Sequence, residues 1–314
     1  MGGGAGRDMT PVDTGYETRR VVGVGDVELA VDVWQLPQGS AAAQWPGFVL
    51  IHGLASNARL YDGVARHLVA AGHAAASVDL RGHGRSDKPD GGYDYDTLCA
   101  DVVAVLDALR DDPASAQFDR PIVVGQSFGG NLVMQLAARF PERLGGVAAI
   151  DGGTIDAAAR FPTWEEVSVA LAPPKIEGAR YEEVERRFFE MHPDWPEAGV
   201  RAALANFAVR PDGTVAPWLT FERHLQILRT MWESRPGDIY PKITVPVLLL
   251  PVDSPSMPEW TRAKRAGIDQ ALAALPRAKV HWFSPADHDV HAQHPAAVAD
   301  ALLGAVGGLF GPPS

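Results

Sequence analysis

Short, nearly continuous apolar runs recur along this chain and predict buried strands. Such runs are typical of parallel strands that are covered on both faces. They cover residues 47–51, 74–80, 122–124, 147–150, 247–252 and 280–283. Between them, apolar positions at helical spacing predict helices, at residues 60–71, 95–110, 131–140, 262–275 and 295–303. This alternation predicts an α/β fold, with a mostly parallel central sheet flanked by helices.

The N-terminal part has a different pattern. Residues 18–24 and 27–36 have strand composition and flank Gly25-Asp26, a turn dipeptide that favours a β-hairpin. The residues before them are rich in glycine and polar side chains. We therefore expect a flexible N-terminal tail of residues 1–17, followed by an antiparallel hairpin.

One long segment, residues 154–241, interrupts the alternation of strands and helices. It contains helical patterns but no convincing strand, which indicates an insertion into one domain made of residues 18–153 and 242–314. Four of the eight tryptophans lie in this segment. One interpretation is a plain structural excursion, because aromatic residues at helical spacing usually pack in a core. The other is a helical cap over a substrate pocket.

The cap interpretation names candidate substrate contacts. Binding sites in open α/β sheets lie beyond the carboxyl ends of the strands, which is where this insertion emerges. Under this interpretation, Trp164, Phe188 and Trp218 line an apolar pocket. The expected partner is then a small-molecule substrate with a substantial apolar part.

Charge and cysteine content narrow the class of function and the compartment. The 314-residue chain has a net charge of −11 and no clustered Lys/Arg face, which disfavours nucleic-acid binding. The single cysteine, Cys99, excludes an internal disulfide framework, and its helical surroundings favour a buried thiol. The N-terminus has no secretory signal pattern and no apolar run is long enough to span a bilayer. We expect a cytoplasmic protein without membrane association, and the sequence leaves its oligomeric state open.

Residues 125–129, with the sequence GQSFG, are the centre of the expected chemistry. They fit G-x-S-x-G between an apolar strand and a helix, a sharp turn that presents a serine hydroxyl at the end of a sheet. A nucleophile in such a turn has a strained backbone with close neighbours, which explains the glycine on each side. The alternative is an ordinary turn in a glycine-rich chain, but the flanking strand, the helix and the additional Gly130 favour Ser127 as a nucleophile.

Together these patterns resemble the α/β-hydrolase superfamily over residues 18–303. The segment 49–54, VLIHGL, looks like the strand and turn that supply half of the oxyanion hole in that family. The resemblance implies that the backbone N–H groups of Leu54 and Phe128 face the carbonyl oxygen as it becomes negative. His52 in this turn is an alternative base, but the resemblance favours a histidine that positions the loop.

A second motif, residues 79–87 with the sequence DLRGHGRSD, resembles the D-x-R-G-x-G-x-S loop of the same family. Its glycines permit tight turns, and its charged side chains can pair locally. A basic phosphate site is the alternative interpretation, but the chain has no P-loop lysine pattern. We expect a scaffold loop.

The segment 286–291, ADHDVH, follows the last apolar run, where the family places its catalytic histidine, and His288 matches that position. A serine hydroxyl needs a neutral imidazole that accepts its proton and later returns it to the leaving group. His291 and His294 are competing bases, and the three histidines together are an alternative metal site. A loop at this point would not bring all three to one face, and no H-E-x-x-H arrangement is present, so no metal is expected.

Two aspartates compete for the role of the acid that orients the histidine. Asp151 follows the run 147–150, a position that resembles the subset of the family with its acid after the sixth strand. Asp253 follows the seventh strand, the commoner family site, but a proline occupies the place where the family usually has the acid. We favour Asp151 and keep Asp253 as the alternative.

The resemblance implies a cofactor-independent serine hydrolase with a helical cap, which cleaves an ester, thioester or lactone through an acyl-enzyme. Serine at the turn argues against dehalogenase and epoxide hydrolase chemistry, for which the family uses aspartate; amide and carbon–carbon bond cleavage remain compatible. The alternative class is a ligand-binding or receptor-like member with little turnover. A purely structural interaction protein would leave the GQSFG turn unexplained.

Overall fold

The computed structural model describes residues 15–36, 45–112, 116–255 and 257–311 of the chain. These residues form an eight-stranded sheet and a separate two-stranded ribbon. Their strands are β1 (Glu17–Val22), β2 (Glu28–Trp34), β3 (Phe48–Ile51), β4 (Ala75–Val78), β5 (Ile122–Gln126), β6 (Gly146–Ile150), β7 (Phe207–Val209), β8 (Val215–Pro217), β9 (Val247–Leu250) and β10 (Ala278–Val280).

The large sheet has the strand order β1-β2-β4-β3-β5-β6-β9-β10. β2 pairs antiparallel with β1 and with β4, and the remaining neighbours pair parallel. Every residue of β3, β4, β5, β6 and β9 is buried, so both faces require apolar side chains, which explains the continuous apolar runs. The predicted mostly parallel sheet is confirmed, and the carboxyl ends of β5, β6 and β9 lie side by side.

Helices cover both faces of the sheet. In the described residues they are α1 (Asp62–Ala70), α2 (Tyr95–Arg110), α3 (Phe128–Arg139), α4 (Ala157–Arg160), α5 (Trp164–Ala170), α6 (Tyr181–Met191), α7 (Glu197–Leu204), α8 (Phe221–Glu233), α9 (Pro258–Ala274), α10 (Val290–Gln293) and α11 (Pro295–Val306). Alternate residues of β3 point to opposite faces: Phe48 and Leu50 join the core of α1 and α11, while Val49 and Ile51 join that of α2 and α3.

The predicted N-terminal hairpin is confirmed. β1 and β2 pair antiparallel, and a short 3-10 turn, Val24–Asp26, joins them with Gly25 at a φ of 70°. In the predicted flexible tail, residues 1–14 lie outside the described residues, and Glu17 already belongs to β1.

The segment 154–241 contains α4 to α8, as its helical pattern predicts, but the expectation that it has no strand was wrong. β7 and β8 pair antiparallel within it. The turn between them has Gly213 at a φ of 81°, and Asp212 accepts hydrogen bonds from the N–H and hydroxyl of Thr214. Strands of three residues are too short for a period of two to stand out in the sequence, which is why the pattern missed them.

Two smaller expectations concern the last predicted strand and the cysteine. The run 280–283 contributes only Val280 to β10, and Phe283 makes an isolated bridge to Val252. Cys99 is fully buried in α2, and burial raises the pKa of its thiol to about 12. In the part of the chain that the structure describes, no helix has the length and apolarity needed to cross a membrane.

Candidate active site

Ser127 lies at the sharp junction between β5 and α3. Its backbone has a φ of 53° and a ψ of −117°, a positive-φ combination outside the regions that residues with a side chain commonly adopt. A Cβ atom at Gly125 would overlap the carbonyl of Gly129, and one at Gly129 would overlap the carbonyl of His52. The glycines of the motif are therefore required by the close approach of three backbone segments around the serine.

The turn 52–54 lies directly against the serine. A Cβ atom at Gly53 would lie 3.2 Å from the Cβ atom of Ser127 and would overlap the side chain of Gln126. On the other side, Phe128 is the first residue of α3, and the N–H groups of a first helical turn have no partner within the helix. The two segments with the predicted oxyanion-hole donors, Leu54 and Phe128, thus flank Ser127.

His52 in this turn has both ring nitrogens engaged. Its Nε2 atom accepts a hydrogen bond from the N–H of Leu80 at 3.0 Å, so the proton resides on Nδ1, which donates to the carbonyl of Gly53 at 2.8 Å. The ring is fully buried, and burial lowers its pKa. These bonds hold a neutral imidazole in a structural position, as the sequence interpretation favoured.

His288 is hydrogen-bonded to Asp151. Its Nδ1 atom lies 2.6 Å from Oδ2 of Asp151, the residue that follows β6 and has a φ of 43°. The carbonyl of His288 also accepts a hydrogen bond of 3.1 Å from the side chain of Gln126, which precedes the serine. A Cβ atom at Gly152 would overlap the carbonyl of Ser127. The serine, the histidine and this aspartate therefore belong to one corner of the molecule.

The charges in this corner reinforce each other. Burial by itself raises the pKa of the Asp151 carboxyl. The hydrogen bonds and positive charges of His288 and Lys264 have a larger effect in the opposite direction, so the pKa of Asp151 lies below its ordinary value. Desolvation lowers the pKa of His288, yet the hydrogen bond and charge of Asp151 overcome it and raise the net pKa. The aspartate is ionised at neutral pH and stabilises a protonated imidazole.

The alternative acid, Asp253, has other partners. Its carboxylate lies 3.3 Å from the guanidinium of Arg265 and accepts a hydrogen bond of 3.3 Å from the hydroxyl of Ser284. Its side chain is 27 % exposed, against 4 % for Asp151. The structure thus brings His288 to Asp151, and Asp253 faces the surface.

The competing histidines do not share this arrangement. His291 is fully buried against the ring of Tyr61 at 4.6 Å, and neither ring nitrogen has a hydrogen-bond partner among the described residues. Burial lowers the pKa of His291 to about 4. His294 is exposed at the start of α11. Within the described ranges, no group of three His, Cys, Asp or Glu side chains is placed to hold a metal ion.

The arginines of the loop 79–87 are paired with carboxylates inside the loop and on neighbouring elements. The guanidinium of Arg85 lies 3.0 Å from the carboxylate of Asp79 and 2.6 Å from that of Asp32. Arg81 makes a buried pair with Asp101 at 2.5 Å. Because carboxylates already bind these arginines, the loop has the features of a scaffold.

The three aromatic residues predicted to line the pocket have different neighbours. Trp164 lies under the guanidinium of Arg229 and borders a surface depression. Phe188 packs edge-on against Phe207 inside the inserted segment, and Trp218 follows β8. None of the three lines the cavity next to Asp151, and their contact with substrate stays a prediction.

That cavity, of about 450 Å³, lies between the Asp151 loop, α4 and α9. Its wall includes Lys264 together with the apolar side chains of Phe161, Leu171 and Trp260. Sequence reasoning missed these residues, because none belongs to a motif. The only signal was the position of α9 directly after the strand that ends near Asp253.

Comparison with known proteins places the chain in a family. Residues 48–301 match the model of the alpha/beta hydrolase family. The chain belongs to the α/β-hydrolase family. Esterase YbfF of Escherichia coli (strain K12) is 29 % identical over 254 residues, which span 81 % of this α/β hydrolase and 90 % of the esterase. The resemblance to the α/β-hydrolase superfamily that the sequence indicated is confirmed.

Solved structures have the same fold. E-2-(acetamidomethylene)succinate hydrolase superposes with a TM-score of 0.70 at 22 % identity, covering 92 % of this chain and 98 % of the other. A thioesterase domain from the curacin biosynthetic pathway has a TM-score of 0.68 at 20 % identity, covering 92 % and 99 %. At these identities the likeness establishes the fold alone, while the esterase relative supports hydrolase chemistry.

Proposed function

We propose that this α/β hydrolase is a cytoplasmic, cofactor-independent serine hydrolase that cleaves an ester, thioester or lactone bond of a small, largely apolar substrate. The observation that carries the proposal is the 2.6 Å hydrogen bond between His288 and the buried carboxylate of Asp151, next to the strained turn of Ser127. A nucleophile, a base and an acid that orients the base are the three parts that acyl transfer needs.

In the proposed mechanism, Ser127 Oγ attacks the substrate carbonyl while Nε2 of His288 takes the hydroxyl proton. Asp151 fixes the tautomer with the proton on Nδ1 and stabilises the imidazolium that forms. The N–H groups of Leu54 and Phe128 donate to the oxyanion of the tetrahedral intermediate. The imidazolium returns its proton to the leaving alcohol or thiol. Water, deprotonated by the same histidine, then attacks the acyl carbonyl, the carboxylic acid is released, and Ser127 Oγ takes back the proton from the imidazolium.

The apolar substrate preference rests on the segment 154–241 as a helical cap over the carboxyl ends of the strands. Trp164, Phe188 and Trp218 are the proposed contacts of that cap with substrate. Apolar contacts discriminate by about 1–3 kcal/mol per methylene, so activity against acyl chains of increasing length should change in a graded way.

Labelling with a fluorophosphonate tests the proposal directly. We expect stoichiometric modification of the wild-type protein at Ser127 and none in Ser127→Ala. Hydrolysis of nitrophenyl esters, acyl-thioesters and lactones should fall by about 10⁶-fold in Ser127→Ala, since removal of a triad nucleophile has an effect of that order. His288→Ala should be about equally inactive.

The same experiment identifies the alternatives. An unreactive Ser127 combined with tight binding of small molecules would indicate a receptor-like protein. A labelled serine without activity on esters, thioesters or lactones, but with activity on a carbon–carbon bond next to a carbonyl, would indicate that other use of the same residues. Retention of a tenth of the wild-type rate in Ser127→Ala would contradict the proposal.

A further inference from the structure

The two oxygens of the Asp151 carboxylate have different partners. Oδ2 binds the imidazole of His288 at 2.6 Å. Oδ1 lies 2.5 Å from Nζ of Lys264 and accepts a hydrogen bond of 3.1 Å from the N–H of Val252. The carboxylate thus bridges an imidazole on one side and an ammonium group on the other.

Lys264 is itself held in place. Its Nζ atom donates a second hydrogen bond, of 2.8 Å, to the carbonyl of Val252, the second residue after β9. Its side chain is only 18 % exposed and lies in the wall of the 450 Å³ cavity. Burial of a lysine is unfavourable unless its charge is paired, and Asp151 supplies the paired charge.

We propose that Lys264 of α9 is a positioning residue that acts through Asp151: it binds Oδ1 of the carboxylate so that Oδ2 points at His288. This inference rests on the proposed function. A carboxylate with one hydrogen-bond partner can rotate about its terminal bond, whereas partners on both oxygens leave a single orientation. The ammonium group, together with the N–H of Val252, therefore holds the carboxylate in the orientation in which Nδ1 of the histidine is bonded.

Lys264 also affects the pKa of His288. His288 is close to the carboxylates of Asp151 and Asp289, to the ammonium of Lys264 and to the imidazole of His291. The positive charge of Lys264 lowers the pKa of His288 and opposes the larger effect of Asp151. A lower pKa keeps the imidazole neutral, and therefore able to act as a base, to lower pH.

The decisive variant is Lys264→Met, which keeps the length of the side chain and removes its charge. The acid limb of kcat/KM against pH reports the pKa of the base in the free enzyme. We expect this limb to move to higher pH, because the N–H of Val252 still holds Asp151 towards His288 while the ammonium charge that lowers the pKa of His288 is gone. We also expect kcat to fall about 10- to 100-fold, the size expected for losing a hydrogen bond to a charged group. Lys264→Arg should keep the acid limb near its wild-type position.

Arg262→Met is the matched control, because it removes one positive charge from an exposed position of the same helix. Its acid limb and kcat should equal those of the wild type. If Lys264→Met does not fold, Lys264→Gln replaces it: the limb should move there also, because the charge is lost although a donor remains.

Two results would overturn this inference. An unmoved acid limb with a lowered Tm would mean that Lys264 only anchors α9 to the end of β9. An equal shift in Arg262→Met would mean that the total charge of α9, and not the contact of Lys264 with Asp151, determines the pH of the acid limb. Either result, with Ser127→Ala and His288→Ala inactive, leaves the proposed function intact. Activity that persists in His288→Ala would instead contradict the proposed function itself.

Discussion

Asp151 and Asp253 occupy similar places, since each follows the carboxyl end of one of two neighbouring parallel strands, yet their surroundings differ. Asp151 is buried and bridges His288 and Lys264. Asp253 is partly exposed and pairs with Arg265 at 3.3 Å. A position at the carboxyl end of a strand is therefore not sufficient to bring a carboxylate to the histidine, because the local backbone must also direct the side chain towards it.

The difference arises in the backbone. The N–H of Asp151 bonds the carbonyl of Leu250 at 3.0 Å and the chain then turns at once, with a φ of 43°. The N–H of Asp253 bonds the carbonyl of Phe283 at 2.8 Å, so the chain there continues alongside the segment after β10. The side chain of Asp151 therefore points towards His288, and the side chain of Asp253 points towards Arg265 of α9.

The largest expected effect is the loss of kcat in Asp151→Asn. Asp151→Asn keeps the shape of the side chain but removes the charge that stabilises the imidazolium and permits the wrong tautomer. In a serine protease the equivalent change lowers kcat about 10⁴-fold, and we expect a loss of similar order in ester hydrolysis. Circular dichroism must establish that the variant is folded. A greater loss in Asp253→Asn would assign the acid to the other strand end.

The next largest effect is expected from substitutions of Gly152 and Ser254, the residues that follow the two aspartates. A Cβ atom at Gly152 would overlap the carbonyl of Ser127, so Gly152→Ala should displace Ser127, the proposed nucleophile, and lower kcat about 100-fold. Ser254 is the matched position, and its hydroxyl donates to the carbonyl of Ala286 at 2.9 Å. Ser254→Ala should reduce stability by about 1 kcal/mol and leave kcat within about threefold. Equal losses of kcat would contradict the close packing behind the serine.

Stability against pH gives a smaller and independent difference. The pKa of folded His288 is raised, so its contribution is fully present below the unfolded pKa of about 6.5 and is lost as pH rises through the folded pKa. The contribution of Asp151, whose pKa is lowered, is present throughout this range and is lost only in acid. Asp151→Asn should therefore lower Tm more at about pH 5.5 than at about pH 9.

Solvent limits the size of this pH effect. The His288 side chain is 47 % exposed, and screening reduces the expected difference between the two Tm losses to about 1–2 °C. Asp253→Asn should show the same Tm loss at both values of pH. A pH-independent loss in Asp151→Asn would mean that the His288 charge does not stabilise the folded state.

The smallest effect is expected for Asp253→Asn. Its ion pair with Arg265 is partly exposed, and pairs of this kind contribute about 0–1 kcal/mol. We expect kcat/KM within about threefold of the wild type and Tm within about 2 °C. A 100-fold loss of kcat in this variant would contradict the expectation that Asp151, and not Asp253, supports turnover.

The segment 154–241 marks where the pattern of the sequence was weaker. Its helices followed from apolar spacing, but β7 and β8 did not, because strands of three residues have no visible period. The contacts of its aromatic residues depend on how the segment folds over the core. Trp164 and Phe188, which the pattern treated alike, lie in different environments.

By itself, the sequence determined the parallel sheet, the hairpin at its edge and the sharp turn at Ser127. These features depend on local rules: burial on both faces demands continuous apolar runs, and close backbone approach demands glycine. Only the tertiary structure placed Asp151, and not Asp253, beside His288 and brought Lys264 to the Asp151 carboxylate. Those contacts join residues far apart in the chain, 137 positions in the case of His288 and Asp151, and depend on the backbone torsion at a single residue, which no local pattern encodes.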